Sequence, residues 1–164
     1  MPTRLLNSPA LRGWLAALAI GACAAVHATP SPPTDPINEA REALRKRDGK
    51  RLAQLRNSTR AESHPLAMWV DYWELGNRIT EARIDEAEAF YTRWAGTYVE
   101  DRFRNDWLLE LGRRRDWSAF ARDYPRFRMN DDREVLCYWQ LTEHQAGKPV
   151  REAARALWFA QRDS

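Results

Sequence analysis

The sequence predicts an all-α protein in which helical hairpins stack as an α-solenoid, and three observations carry that prediction. Apolar residues recur at spacings of three and four through nearly every segment after Asp35, the period of a helix with one buried face. The five glycines after Ala28 (Gly49, Gly76, Gly96, Gly112, Gly147) each follow such a run, and Pro36, Pro65 and Pro149 stand where runs begin. Aromatics also repeat: Trp73, Trp107 and Trp139 are 34 and 32 residues apart, and Tyr124 and Trp158 are 34 apart. A period near 33 with helix–turn–helix units marks repeats that bury their faces against one another. No alternating strand pattern and no Asn-Gly hairpin competes.

Each element follows from local chemistry. Asp35 is expected to cap a first helix with Pro36 at its first position and Ile37, Ala40, Ala43 and Leu44 inward; Gly49 ends it. A short helix with Leu52 and Leu55 follows and fades at Asn57-Ser58-Thr59. Pro65 starts the next, with Leu66, Trp69, Val70 and Trp73 on one face, and Gly76 stops it. Thr80 or Asp85 begins another, turning Ile84, Ala87, Phe90, Tyr91 and Trp94 inward before Gly96.

The centre is the stretch Tyr98–Arg133. Val99, Phe103, Trp107 and Leu111 recur every four residues, and Gly112 is placed to end that helix. Asp116 caps a second helix carrying Trp117, Phe120, Ala121 and Tyr124, which Pro125 blocks. Asp131 and Asp132 open a third with Val135, Leu136, Tyr138 and Trp139, ending at Gly147. Pro149 opens the last, where Val150, Ala153, Ala154, Leu157 and Trp158 share a face.

The N-terminus has a different character. Arg4 and Arg12 precede an apolar run, Trp14 to Val26, and Val26-His27-Ala28 fits a small-residue cleavage site. A run of this length is short of the roughly 20 residues that span a bilayer. Residues 1–28 are therefore read as a secretory signal cleaved after Ala28, residues 29–35 as a proline-rich leader, and residues 36–164 as the helical domain. Ile20-Gly21-Ala22-Cys23 also fits a lipobox that would acylate Cys23, but the Ala28 site is better placed relative to the apolar run. The expected location is the periplasm, with no membrane span.

Charge excludes one class of partner. The whole chain has 26 basic and 23 acidic residues; residues 29–164 keep 24 and 23, a net of +1. Without a basic excess, nucleic acid is not expected as a partner. Of the basic residues 23 are Arg, the side chain that matches carboxylates in a bidentate way, although Arg on solvated helix faces is the plainer account. Cys137, between Leu136 and Tyr138, reads as a small buried apolar residue and leaves no internal disulfide.

One run is recognisable. DRFRNDWLLELGRRRDWSAFARDYPRFRMNDDREVLCYWQL, together with SHPLAMWVDYWEL upstream, closely resembles the superhelical N-terminal domain of the soluble lytic transglycosylases. The resemblance extends roughly from Pro36 to the C-terminus. It implies a tetratricopeptide-like helical array in a periplasmic enzyme family that cleaves peptidoglycan glycan strands and leaves 1,6-anhydro ends. The family's chains continue for several hundred residues into a lysozyme-like catalytic domain, where a Glu-Ser pair precedes a G-L-M-Q segment. The chain is accordingly expected to be a truncated, non-catalytic scaffold piece. The alternative is a self-sufficient periplasmic interaction module that binds peptides in its groove.

Glu62-Ser63 mimics the catalytic pair but precedes HPLAMW and has no G-L-M-Q segment after it, so it is read as an N-terminal cap for the Pro65 helix. His64 and His144 have no second ligand at helical spacing; His144 suits the negative end of a helix dipole. No catalytic, cofactor-binding or metal residue is therefore assigned, and no cofactor is expected. Glycan strands are the expected partner, with self-association through Trp158 and Phe159 if nothing covers them. Most aromatics are expected in the core, with a few free to meet sugar rings.

Overall fold

The structure is a computed structural model that describes residues 35–160; the signal, leader and Cys23 readings for residues 1–34 lie outside them. The described residues form eight α-helices and two 3-10 turns, with no strand among them. In order these are α1 (Pro36–Arg45), α2 (Gly49–Ala61), α3 (Ala67–Asn77), α4 (Ile84–Arg93), α5 (Tyr98–Arg114), α6 (Trp117–Asp123), α7 (Arg133–Gln145) and α8 (Arg151–Phe159). The 3-10 turns are Ile79–Glu81 and Tyr124–Arg126. The fold class is all-α. None of these helices is long and apolar enough to cross a membrane.

The caps read from sequence sit where local chemistry puts them. Asp35 accepts the Ile37 N–H at 2.9 Å, Asp116 accepts that of Ala119 at 3.0 Å, and Asp132 accepts those of Glu134 and Val135. Asp48 and Thr97 do the same for α2 and α5. Each satisfies amide donors that a helix start leaves without partners, worth roughly 1 kcal/mol apiece.

Three glycines are not helix terminators. Gly49 is the first residue of α2, Gly76 lies within α3, and Gly112 lies within α5, which runs on to Arg114. The left-handed reversals fall instead on Arg47, Ser63, Arg115 and Asn130. Gly96 and Gly147 do adopt positive φ after their helices. The second helix does not fade at Asn57-Ser58-Thr59, because Thr59 turns its hydroxyl back to Leu55 O at 2.8 Å and stays buried in the helix. The third begins at Ala67, two residues after Pro65, and both Leu66 and Ile84 are exposed rather than inward.

Helix α1 packs on α2 and α3, α3 on α5, α5 on α7, and α7 on α8; α6 fits between α5 and α7, and α4 lies against α5. The odd-numbered helices thus form a contiguous row. Two buried clusters hold the fold. The smaller joins Ile37, Ala40, Ala43, Leu52, Leu55 and Val70; the larger gathers around Phe90, Phe103, Trp107, Leu108, Leu111, Phe120 and Val135. Burying one such Phe or Leu side chain stabilises by about 1.5–3 kcal/mol, so α5, which supplies four of these, is the main packing element.

Candidate functional site

The Glu-Ser pair is not placed for catalysis, nor does it cap α3. Glu62 is the C-cap of α2, and exposed Ser63 holds the left-handed turn at φ 52°. The α3 N-cap is Leu66, and its free N–H is taken by His64 Nδ1 at 3.1 Å. His64 therefore carries its neutral-form proton on Nε2. His144 is in the exposed last turn of α7. Cys137 is exposed, not buried: α7 turns Val135, Tyr138 and Trp139 toward the core, and Cys137 does not share their face.

Two surfaces have built chemistry, and they use opposite faces of α3. The first is aromatic. Trp69, Tyr72 and Trp73 are half-buried, Tyr98 from α5 is exposed, and Trp69 touches all three with ring centroids 6.0–6.3 Å apart. Arg41 lies over Trp73 at 5.9 Å, and Tyr72 donates to Asp106 of α5 at 2.7 Å. Burial and then the Asp106 hydrogen bond push the Tyr72 phenol up to about 12. Sequence reasoning could not separate these rings from core aromatics, because they keep the same helical spacing.

The second surface is an arginine-lined cleft on the face carrying Ala67, Asp71, Glu74 and Arg78. Asp71 is 2% exposed and saturated. One of its oxygens accepts from Arg60 Nε at 3.1 Å, Arg93 Nη1 at 3.2 Å and Trp94 Nε1 at 2.8 Å, and the other from Arg60 Nη2. Next to it Glu74 binds Arg56 at 2.6 Å and Arg78 at 2.9 Å, and Arg78 reaches Glu86 at 2.8 Å. The Arg78 contact holds the Glu86 carboxyl below its ordinary range. Outside Asp71 an open cleft of about 390 Å³ is lined by Arg60, Ser63, His64, Ala67, Arg93 and Trp94.

A third polar centre is internal. Arg104 of α5 is buried, pairs with Asp123 of α6 and with Glu100 at 2.6 Å, and lies 3.8 Å from the Tyr91 ring centroid. Tyr91 donates to Asp123 at 2.9 Å, so α4, α5 and α6 meet on one carboxylate. Asp101 accepts the Arg128 and Met129 amides at 3.0 and 2.7 Å and fixes the loop before α7. These contacts tie helices together and present no open reacting position.

The repeated aromatics divide in the same way. Trp107 is in the core, Trp139 stacks on Tyr124 at 4.3 Å, and Trp158 and Phe159 are each 70% exposed on α8. Comparison of the chain with protein-family models, with curated proteins and with solved structures finds no match.

Proposed function

We propose that this protein is a non-catalytic helical scaffold of the periplasm, akin to the superhelical N-terminal region of a soluble lytic transglycosylase, which holds peptidoglycan glycan strands for cleavage. The observation that carries the reading is the aromatic surface of Trp69, Tyr72, Trp73 and Tyr98, flanked by Arg41. Aromatic faces suit the apolar faces of sugar rings, and Trp69, Tyr72 and Trp73 lie on the SHPLAMWVDYWEL segment that carries part of the resemblance. The solenoid arrangement belongs to the same proposal. It is supported by the row α1, α3, α5, α7 and by polar ties between helices one repeat apart, Tyr72 to Asp106 and Tyr91 to Asp123.

Purified chain should co-sediment with peptidoglycan sacculi and lose most of that binding on Trp69→Ala with Trp73→Ala. It should release no anhydro-muropeptides, and Glu62→Gln should change nothing. Failure to co-sediment, or release that depends on Glu62, would overturn the reading. The alternative, a self-contained interaction module, gains if sacculi are not bound and a protein partner is.

A further inference from the structure

We propose that the cleft between α2, α3 and α4 is a binding site for a carboxylate, with the body of the ligand lying against Trp94. The argument starts from charge. Asp71 is one carboxylate shared by two guanidiniums, those of Arg60 and Arg93, so the cluster carries one uncompensated positive charge. Both arginines line the cleft, with side chains 28% and 39% exposed. A cation held at a concave, partly desolvated wall attracts an anion far more strongly than one on an open face.

Geometry then selects the anion. Asp71 takes Arg93 only through Nη1, which among the described residues leaves its Nε and Nη2 without a partner. Arg60 likewise has Nη1 to offer. A planar guanidinium edge matches the two oxygens of a carboxylate in a bidentate pair. The rest of the wall is donor-rich: His64 presents Nε2–H because its Nδ1 accepts from Leu66, and Ser63 adds a hydroxyl. Among the described residues no carboxylate lines this cleft to repel a ligand, whereas Asp71, Glu74 and Glu86 line the neighbouring, smaller one that shares Arg60 and Arg93. The indole of Trp94 is held by its N–H on Asp71 and supplies apolar surface beside the arginines.

The chemistry fits a carboxylate on a ring-sized body, from either an acidic sugar or an aromatic acid. The site is independent of the scaffold proposal, which rests on the opposite face of α3.

Calorimetric titration of the purified chain with N-acetylmuramic acid and, separately, with benzoate tests it; N-acetylglucosamine and inorganic phosphate serve as comparisons. At least one acid should bind with unit stoichiometry, and the arm that binds identifies the source. Arg93→Gln should weaken it about tenfold, the scale of one lost charge-assisted pair. Arg93→Lys should keep part of the affinity, since it retains charge without the fork, and it stands in if the Gln variant fails to fold. No heat from either acid at about 10 mM, a range that reaches weak binding, would overturn the proposal. So would unchanged affinity in both variants, or phosphate binding as tightly as the better acid. Loss of the site would leave the sacculus result unaffected, because Arg93 is not part of the aromatic surface.

Discussion

The ring of Tyr138 occupies the place where a side chain on Gly112 would have to go. A Cβ built on Gly112 would come within 2.9 Å of Tyr138 Cγ and closer still to the ring carbons beyond it. This contact joins α5 to α7, and it explains why a glycine persists inside a helix that continues past it.

Gly112→Ala is therefore expected to destabilise by about 1–3 kcal/mol, the usual cost of overpacking, although alanine is the better helix former by about 1 kcal/mol. Gly76, also inside a helix, has nothing within 4 Å of its added Cβ. Gly76→Ala should stabilise by up to about 1 kcal/mol. Urea unfolding of the two variants gives opposite signs if the contact is as described.

Asp123→Asn should cost roughly 3 kcal/mol, because it removes the buried charge on which Arg104, Tyr91 and Arg126 converge and leaves the Arg104 guanidinium to Glu100. Arg126→Gln, which breaks pairs made by a half-exposed side chain, should cost about 1 kcal/mol or less. Thermal melts that rank the two in reverse order would refute a structural role for the buried pair.

The pH profile should fall at both ends. Arg126 holds Glu88, and Arg78 holds Glu86, below the ordinary carboxylate range. Lowered carboxylates add stability that is present above their unfolded value, about 4.3, and is lost as pH falls through the folded value. Burial, then Asp123, pushes the Tyr91 phenol well above its usual value, and Tyr72 is pushed to about 12. Raised phenols stabilise below about pH 10 and lose that contribution as pH rises through the folded value. Melting temperature should be flat near neutrality, drop below about pH 4, and drop again above about pH 10. Ultraviolet titration should show both phenols protonated past pH 10 until the chain unfolds.

Trp158 and Phe159 should drive weak self-association. Their exposed surface amounts to a few hundred Å², which at about 25 cal/mol per Å² is worth several kcal/mol if covered. Sedimentation should show concentration-dependent mass, removed by Trp158→Ser with Phe159→Ser. The melting temperature should hardly change, because α8 has no buried residue to lose. A monomer at all concentrations would rule the contact out.

What the sequence disclosed was what acts over one helical turn. Asp35, Asp116 and Asp132 cap helices a few residues away, and Val99, Phe103, Trp107 and Leu111 form the predicted inner face of α5. What stayed hidden acts at a distance. Arg104 meets Asp123 across 19 residues and Trp94 meets Asp71 across 23, and no local pattern marks those pairs among so many charges. Gly112 reads as a terminator until Tyr138 is seen against it. The real reversals, Arg47, Ser63 and Arg115, carry side chains that seldom announce a left-handed turn. Trp69 and Trp73 keep core spacing and pack half-buried against the two clusters, so the part of each ring left at the surface needed the fold to become visible.

Helix α5 has ten buried residues of seventeen and packs on four other helices, whereas α8 has none and packs on α7. Local opening needs only the contacts of the segment that opens. Amide hydrogens of α8 should therefore exchange with solvent through fraying that leaves the remainder intact, and those of α5 only when the whole fold comes apart. The two helices keep separate clocks, and a protease or an adapting partner meets α8 long before it meets α5.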